Sequence, residues 1–267
     1  MTMKSDLLQI SDIAKKYQTD KFKNENYLKV YSKHFKDIRK SATNVLEIGV
    51  KRDPQGGTNG ARSLKLWREY FESAEIHGID IDPENKKYEE SRIQIHIGNQ
   101  GDPCFLKETV ALICTKQKSK NPAPEGPNEQ DIKNTGAIFD AIIDDGSHIN
   151  VLTLTSFTHL WPHVKKGGVY IIEDLGCSYI DLEKHNIRSR AATSDGYGDW
   201  EGMHLAPKEI SYKNERSVMD KFFLDRIKIL DFMKVRSSSR AEAGVFSYED
   251  IESLHFTEGM CTISKMS

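Results

Sequence analysis

Short apolar runs alternate with segments of helical spacing along most of the chain. The runs TNVLEIGV, EIHGIDID, RIQIHIGN, AIFDAIIDDG and GGVYIIEDL are rich in β-branched residues, and each meets glycine or polar residues at its carboxyl end. Between most of them lie segments such as SLKLWREYF and VLTLTSFTHLWPHV, whose apolar residues recur at helical spacing. This alternation predicts an α/β fold, with a parallel sheet covered by helices on both faces.

The two ends of the chain have patterns of their own. DLLQISDIAKKY and NYLKVYSKHFKDI each place apolar residues on one face, which predicts an N-terminal helical segment over residues 1–40. SVMDKFFLDRIKILDFM predicts a late helix, and IESLHF and MCTISKM, separated by TEG, predict a C-terminal antiparallel hairpin. We therefore expect residues 41–267 to form one domain around a seven-stranded, mostly parallel sheet.

Two polar stretches interrupt the alternation. Residues 115–136 hold three of the eight prolines and almost no apolar residues, so they predict an exposed insertion. It is not a domain boundary, because the strand pattern resumes directly after it. Residues 185–216 contain SDGYGDWEGMH, which could be a lid over a substrate or a surface excursion.

Composition and charge narrow the class of protein. The chain has 37% hydrophobic and 29% charged residues and a formal net charge of −2, which argues against charge-driven binding of nucleic acid or membranes. No apolar run approaches the roughly 20 residues that span a bilayer, and the charged N-terminus lacks the apolar core of a signal peptide, so we expect a cytoplasmic protein. The cysteines lack CxxC spacing and are expected to be buried free thiols: Cys104, Cys114, Cys177 and Cys261.

The first two apolar runs end in residues suited to a nucleoside ligand. Gly49 ends the first run, and Asp80 ends the second, where its carboxylate could accept hydrogen bonds from ribose hydroxyls or act as a turn residue. Asp82, before Pro83, is typical of a helix N-cap. The GxGxxG spacing of NAD-binding proteins is absent after Gly49. Glu47 would repel a pyrophosphate and suits a cationic ligand such as S-adenosylmethionine.

Acidic pairs follow the fourth and fifth runs. Asp144 and Asp145 are followed by His148, and Glu173 and Asp174 end IIED. Parallel neighbouring strands would bring the four carboxylates to one edge of the sheet, where they repel unless a cation lies among them. Oxygen ligands favour Mg²⁺ first and Mn²⁺ second. Each pair alone could instead be a turn, a helix cap or a solvated strand end.

These motifs resemble a known family. VLEIGV, SLKLW, GIDID, GNQ, IIDDGSH and IIEDL follow one another as in the class I S-adenosylmethionine-dependent methyltransferases. The similarity is greater to the metal-dependent sugar O-methyltransferases that act on macrolides, and to their relatives known as cephalosporin hydroxylases. YQTDK is similar to the YGTDK that precedes the domain in that subgroup. The resemblance covers residues 10–182 and the final hairpin, and it implies a Rossmann-like sheet.

The resemblance also implies roles for individual residues. Asp145, Glu173 and Asp174 would hold Mg²⁺, and His148 would be the general base, with Asp145 contributing to catalysis through the metal. Thr19 and Lys21 would reach the methionine carboxylate, although a polar turn is an open alternative. The full set expected to bind the cofactor is Thr19, Lys21, Glu47, Gly49, Ser63, Asp80, Asn99, Gln100 and Asp144.

The activity implied is Mg²⁺-dependent methyl transfer from S-adenosylmethionine to a hydroxyl of a small molecule, with a sugar of a glycosylated natural product favoured. A phenol, catechol, polyketide or phosphorylated acceptor stays open, as do an NAD-dependent oxidoreductase and a non-catalytic Rossmann-like binding protein. We expect a homo-oligomer with no nucleic-acid or membrane partner. Residues that could line the acceptor pocket are His34, Tyr197, Trp200 and His204, whereas Trp67 and Phe71 are expected in the core.

Overall fold

The computed structural model describes residues 2–51, 53, 57, 59–118, 136–179, 216–232 and 250–267. The possible lid, with Tyr197, Trp200 and His204, lies outside the described residues, apart from its last residue. Most of the 115–136 insertion also lies outside the described residues. Residues 115–118 continue a helix, so the insertion begins later than its composition predicted.

Seven strands form one sheet, as the sequence predicts. Their order across the sheet is β3-β2-β1-β4-β5-β7-β6, with β1 to β5 parallel and β7 antiparallel to both of its neighbours. The order reverses between β1 and β4, and ligands of open α/β sheets bind at the carboxyl ends of strands at such a point. The bounds are β1 Asn44–Ile48, β2 Glu75–Asp80, β3 Ile93–Ile97, β4 Phe139–Asp144, β5 Val164–Ile172, β6 Ile251–Thr257 and β7 Met260–Lys265.

Helices cover both faces of the sheet. On one face α1, α2 and α3 bury apolar side chains such as Ile10, Tyr31 and Trp67 against the strands. On the other face α4, α5 and α6 do the same with residues such as Val110 and Phe157. The bounds are α1 Met3–Tyr17, α2 Glu25–Phe35, α3 Arg62–Tyr70, α4 Pro103–Lys118, α5 Asn150–Leu160 and α6 Arg216–Phe232.

The N-terminal helices begin and end at local signals in the sequence. The Thr2 side chain accepts a hydrogen bond from the Ser5 amide to cap α1, and α1 ends at Tyr17, before Gln18, whose φ of 53° is left-handed. Thr19 then caps a 3₁₀ turn over Asp20–Lys23 by accepting a hydrogen bond from the Lys21 amide. This turn faces the carboxyl ends of the strands, because the Lys21 ammonium contacts carboxylates there.

Three details correct or refine the expectations from sequence. The hairpin turn has two residues rather than three, because Thr257 pairs with Met260. All four cysteines are free, as predicted, but Cys104 is exposed and Cys177 only partly buried. Trp67 and Phe71 are fully buried, which confirms their place in the core. Among the described helices, none combines the length and apolar character needed to cross a membrane.

Candidate active site

The ends of β4 and β5 place the acidic pairs at one edge of the sheet. Asp144 pairs with Ile172 in register, and the Glu173 amide donates a hydrogen bond to the Asp144 carbonyl at 2.9 Å. Successive side chains of an extended strand point to opposite faces. Asp144 therefore points into the core beside α5, whereas Asp145 points toward α2 and the 3₁₀ turn.

A buried lysine lies among three of the carboxylates. The Lys21 ammonium is 2.9 Å from Asp145 Oδ2, 2.8 Å from Glu173 Oε2 and 3.2 Å from Glu47 Oε1. We call Lys21, Glu47, Asp145 and Glu173 the inner group. Burial alone would lower the pKa of Lys21, but Asp145 and Glu173 raise it well above its usual value. The ammonium is therefore charged, and its contact with a methionine carboxylate stays a prediction.

Aromatic side chains from α2 and α3 donate hydrogen bonds to three acids at this edge of the sheet. The Tyr31 hydroxyl donates to Glu173 Oε1, and Trp67 Nε1 donates to Glu47 Oε2 at 2.9 Å. The Tyr27 hydroxyl donates to Asp174 Oδ1 at 2.5 Å. The sequence indicated these three residues only as apolar positions on helices. The available signal was that tyrosine and tryptophan each carry a donor, which is usually paired when buried.

A second cluster lies on the outer side of Asp145. His148 Nε2 is 3.9 Å from Asp145 Oδ1 and 3.7 Å from Asp174 Oδ2. One ligand atom from each of Asp145, His148 and Asp174 lies within 4.8 Å of the others, which is the spacing of residues that could hold a metal ion. We call these three residues the outer group. The carboxylates of Asp145 and Asp174 suit a divalent cation such as Mg²⁺ or Mn²⁺, so these two donors fit the expected metal, whereas an imidazole is a ligand typical of metals such as zinc.

The outer group is built on unusual backbone. His148 and Asp174 both have left-handed φ angles, of 53° and 51°. Such angles are sparsely populated by residues other than glycine and are often found at functional sites. Tyr27 helps to hold Asp174 in place, because its hydroxyl oxygen also accepts a hydrogen bond from the Asp174 amide at 3.3 Å.

The predicted metal ligands fall into both groups. Asp174 is 44% exposed at its side chain, whereas the Glu173 side chain is 1% exposed and engaged with Lys21 and Tyr31. Burial and the neighbouring Asp145 raise the pKa of Glu173 well above its usual value, although Lys21 opposes this. The metal-binding role of Glu173 thus stays a prediction that requires a change of partners.

Gly49 and Asp80 shape the loop between β1 and α3. Gly49 has a φ of +94°, and a Cβ atom at this position would lie 2.1 Å from the Asp145 carbonyl oxygen. Asp80 accepts hydrogen bonds from the Val50 amide at 2.7 Å and the Asp82 amide at 2.8 Å. Asp82 caps the 3₁₀ turn that begins at Pro83, as predicted. Asp80 thus organises the crevice beside β1, and its contact with a ribose stays a prediction.

The remaining residues expected at the cofactor lie around the same edge. Gln100 donates to Asp144 Oδ1 at 3.3 Å and accepts from the Ser147 amide at 2.7 Å, which ties β3 to the loop after β4. Burial raises the pKa of Asp144 to about 6, against the opposing hydrogen bond from Tyr170. Asn99 accepts from the Gly101 amide at 2.8 Å.

Ser63 was expected to contact the cofactor and His34 to line the acceptor pocket, and the two residues lie on different helices. Ser63 is buried on α3, where it hydrogen-bonds Glu47. His34 lies on α2, where Nε2 is 3.0 Å from Nδ1 of His255 on β6. Burial lowers the pKa of His34 to about 4, so its imidazole is neutral at pH 7. The structure gives His34 no contact with the inner or outer group.

A cleft opens above both groups. Its volume is about 160 Å³, and its lining combines the 3₁₀ turn, α2 and the ends of β4 and β5. The lining residues are Asp20, Lys21, Asn24, Tyr27, Asp145, Glu173 and Asp174. Asp145 and Asp174 are therefore accessible from this cleft.

Known proteins resemble this chain in sequence. No family model matches it. It is 35% identical to demethylmacrocin O-methyltransferase of Streptomyces fradiae over 175 residues, which cover 64% of this chain and 37% of that protein. The identity is also 35% to mycinamicin VI 2''-O-methyltransferase of Micromonospora griseorubida, over 64% of this chain and 37% of that protein. The identity is 31% to 8-demethyl-8-alpha-L-rhamnosyl tetracenomycin-C 2'-O-methyltransferase of Streptomyces olivaceus, over 65% of this chain and 39% of that protein. The chain thus spans less than two fifths of the length of these relatives.

A solved structure extends the similarity to the fold. MycE methyltransferase of the mycinamycin pathway, in complex with Mg and SAH, matches 96% of this chain with a TM-score of 0.65 and 27% identity. The match covers 54% of the MycE chain. The motifs of this chain lie at the ends of strands whose order and direction the structure shows. The relatives that match it in sequence are the same class of methyltransferase that these motifs resemble. The chain therefore resembles the macrolide sugar O-methyltransferases in sequence and the MycE methyltransferase in fold.

Proposed function

We propose that this chain transfers a methyl group from S-adenosylmethionine to a sugar hydroxyl of a glycosylated natural product, with the help of Mg²⁺. The observation that carries the proposal is the outer group, in which ligand atoms of Asp145, His148 and Asp174 lie within 4.8 Å of one another at the carboxyl ends of β4 and β5. This position is beside the β1 crevice, where the fold binds its ligands.

The relatives support the choice of acceptor. One is named for 2'-O-methylation of a rhamnosyl tetracenomycin, and another for 2''-O-methylation of mycinamicin VI. A MycE structure contains Mg, SAH and mycinamycin VI together, and it matches this chain with a TM-score of 0.63 and 27% identity. A glycosylated small molecule is therefore the acceptor to test first.

The residues at the β1 crevice suit the methyl donor. Glu47, buried at the end of β1 beside Lys21 and Trp67, would favour a ligand with an ammonium and a sulfonium over a pyrophosphate. Gly49 keeps the loop close to Asp145, and Asp80 ends β2 where a ribose would lie. We assign Thr19, Lys21, Ser63, Asn99, Gln100 and Asp144 to the support of this crevice.

The chemistry follows from the outer group. When bound, S-adenosylmethionine would supply the methyl group, and Mg²⁺ held by Asp145, Glu173 and Asp174 would lower the pKa of the acceptor hydroxyl. His148 Nε2 would accept the hydroxyl proton, because it lies beside Asp145 and Asp174, which line the cleft. The two nearby carboxylates, 3.9 and 3.7 Å away, would stabilise the imidazolium that forms.

A binding and activity assay tests this function. We expect calorimetry to detect S-adenosylmethionine binding, and Mg²⁺ binding that Asp145→Asn abolishes. Methyl transfer to mycinamicin VI or a rhamnosyl glycoside should need Mg²⁺ and fall by about 100-fold or more in His148→Ala. Asp12→Asn, an exposed acid on α1, is the matched control and should change neither binding nor rate.

The acceptor panel separates the alternatives. Matched aglycones without the sugar should give no product, and catechol should give none either. Product from catechol alone would move the proposal to phenolic acceptors. Failure of S-adenosylmethionine to bind would contradict the proposed activity, and nicotinamide cofactors would be tested next.

A further inference from the structure

Lys21 is the feature of the site that a metal-binding role for the acids does not explain. Its side chain is 2% exposed, and its ammonium contacts Glu47, Asp145 and Glu173. Glu47 and Glu173 have 0% and 1% exposure at their side chains. Buried carboxylates that lack a cation are strongly unfavourable, so Lys21 is the counter-ion that makes the inner group stable.

The same oxygens that bind Lys21 are those that a divalent cation would need. Glu173 uses both carboxylate oxygens on Lys21, at 2.9 and 2.8 Å, and one of them also accepts from Tyr31. Asp145 is shared, since Oδ2 contacts Lys21 and Oδ1 faces His148. A cation that takes both Asp145 and Glu173 must therefore compete with the ammonium.

Charge supports competition rather than coexistence. An ammonium and a divalent ion on the same two carboxylates repel each other in a site with little water. The ammonium also belongs to a flexible four-carbon side chain, which allows it to leave. The 3₁₀ turn that carries Lys21 lines the cleft, with Asp20 and Asn24, so a displaced side chain has space above the site.

We infer that Lys21 is a built-in competitor of the metal: it neutralises Asp145 and Glu173 when the cation is absent and moves away when the cation binds. The inference rests on the proposed binding of Mg²⁺ and assigns Lys21 control over its affinity. Lys21 thereby stabilises the folded protein when no metal neutralises the buried acids. The affinity for the metal is reduced in proportion to the fraction of molecules in which Lys21 occupies the site.

Titration of Mg²⁺ into cofactor-free protein tests the competition. If Lys21 occupies the inner group in nine molecules of ten or more, Lys21→Met should bind Mg²⁺ about tenfold more tightly than wild type. Mg²⁺ should also raise the Tm of Lys21→Met more than that of wild type, because the variant starts with unpaired acids. Lys51→Met is the control, since Lys51 pairs with exposed Asp20 at 3.0 Å and should leave Mg²⁺ affinity unchanged.

The outcomes separate this inference from the proposed function. Equal or weaker Mg²⁺ binding by Lys21→Met, with normal binding by wild type, would overturn the competition and leave the metal site standing. Absence of Mg²⁺ binding in both proteins would overturn the metal site and the inference together.

Amine labelling of wild type gives a second test that does not depend on a variant. Reductive methylation followed by mass spectrometry should find Lys21 protected without Mg²⁺ and labelled with it. Lys265 is the internal control, because it is also buried and donates to the Trp161 carbonyl at 3.1 Å. Lys265 should stay protected in both conditions, and protection of Lys21 in both would overturn the inference.

Discussion

At the scale of single residues, Gly49 shows how a backbone position can control the site. Its left-handed φ of +94° and the Asp145 carbonyl oxygen leave no space for a side chain. The loop after β1 therefore lies against the loop that carries Asp145 and His148. Glycine is required here for both conformation and close approach.

We predict that Gly49→Ala lowers the free energy of unfolding by about 2 kcal/mol or more and weakens S-adenosylmethionine binding. Urea denaturation and calorimetry measure the two effects. Gly136→Ala is the matched control, because a Cβ atom there has no neighbour within 4 Å among the described residues. A Gly49→Ala protein with wild-type stability would show that the two loops move apart at little cost.

Single residues also show which parts of the site the sequence could predict. Strand ends and acidic pairs predicted that Asp145, Glu173 and Asp174 would lie together, because parallel strands share one edge. They could not predict that Lys21, which is separated from Asp145 by 124 positions in sequence, contacts these acids; the resemblance placed Lys21 at the cofactor instead. A helical pattern does not indicate which part of the helix lies next to the strand ends. The sequence therefore predicted Tyr27 and Tyr31 only as core residues.

At the scale of elements, β2 and β3 contain a buried histidine pair. His77 Nδ1 is 3.3 Å from His96 Nε2, and the His77 ring also approaches Asn44. Burial lowers the pKa of His77 to about 3 and that of His96 to about 4. Both imidazoles are therefore neutral in the folded protein at pH 5, while they are mostly charged in the unfolded chain, whose histidine pKa is about 6.5.

This pair predicts a loss of stability in mild acid. Because the pKa of each histidine is lower in the folded state, the unfolded chain binds more protons. The contribution of the pair to the free energy of unfolding is therefore fully present above pH 6.5 and falls as the pH drops toward the pKa values of the folded state. Between pH 7 and pH 5 the loss should be roughly 2 kcal/mol for each histidine. Urea denaturation at both pH values measures it.

A double variant separates the pair from other titrating groups. His77→Gln with His96→Gln removes both imidazoles, so the fall in stability between pH 7 and pH 5 should shrink by most of the predicted amount. The same fall in the variant and in wild type would assign the pH dependence to other residues.

At the scale of the whole molecule, the N-terminal helices share one core with the sheet. Ile10 of α1 and Tyr31 of α2 belong to the same buried cluster as Val45 of β1 and Ile143 of β4. The same helices supply Tyr27 and Tyr31 to the acids at the strand ends. Residues 2–40 therefore support both the core and the site, although their amphipathic pattern alone suggested an appended segment.

A pair of substitutions on α1 tests how closely that segment is joined to the sheet. Ile10 is fully buried, whereas Leu8 is 60% exposed. We expect Ile10→Asp to lower the free energy of unfolding of the entire chain by about 3 kcal/mol or more, because it buries an unpaired charge. Leu8→Asp should stay within about 0.5 kcal/mol of wild type. A separate early transition in Ile10→Asp, with the main one unchanged, would support an independent segment over residues 1–40.

The position of β7 has a consequence for biosynthesis. β7 pairs with β5 on one side and β6 on the other, although it is the last of the seven described strands in sequence. Until the ribosome has released it, β5 carries an unpaired edge next to Glu173 and Asp174. Exposed strand edges promote aggregation. The nascent protein should therefore depend on chaperones until β7 has emerged from the ribosome, and stop codons just before the hairpin should yield insoluble chains.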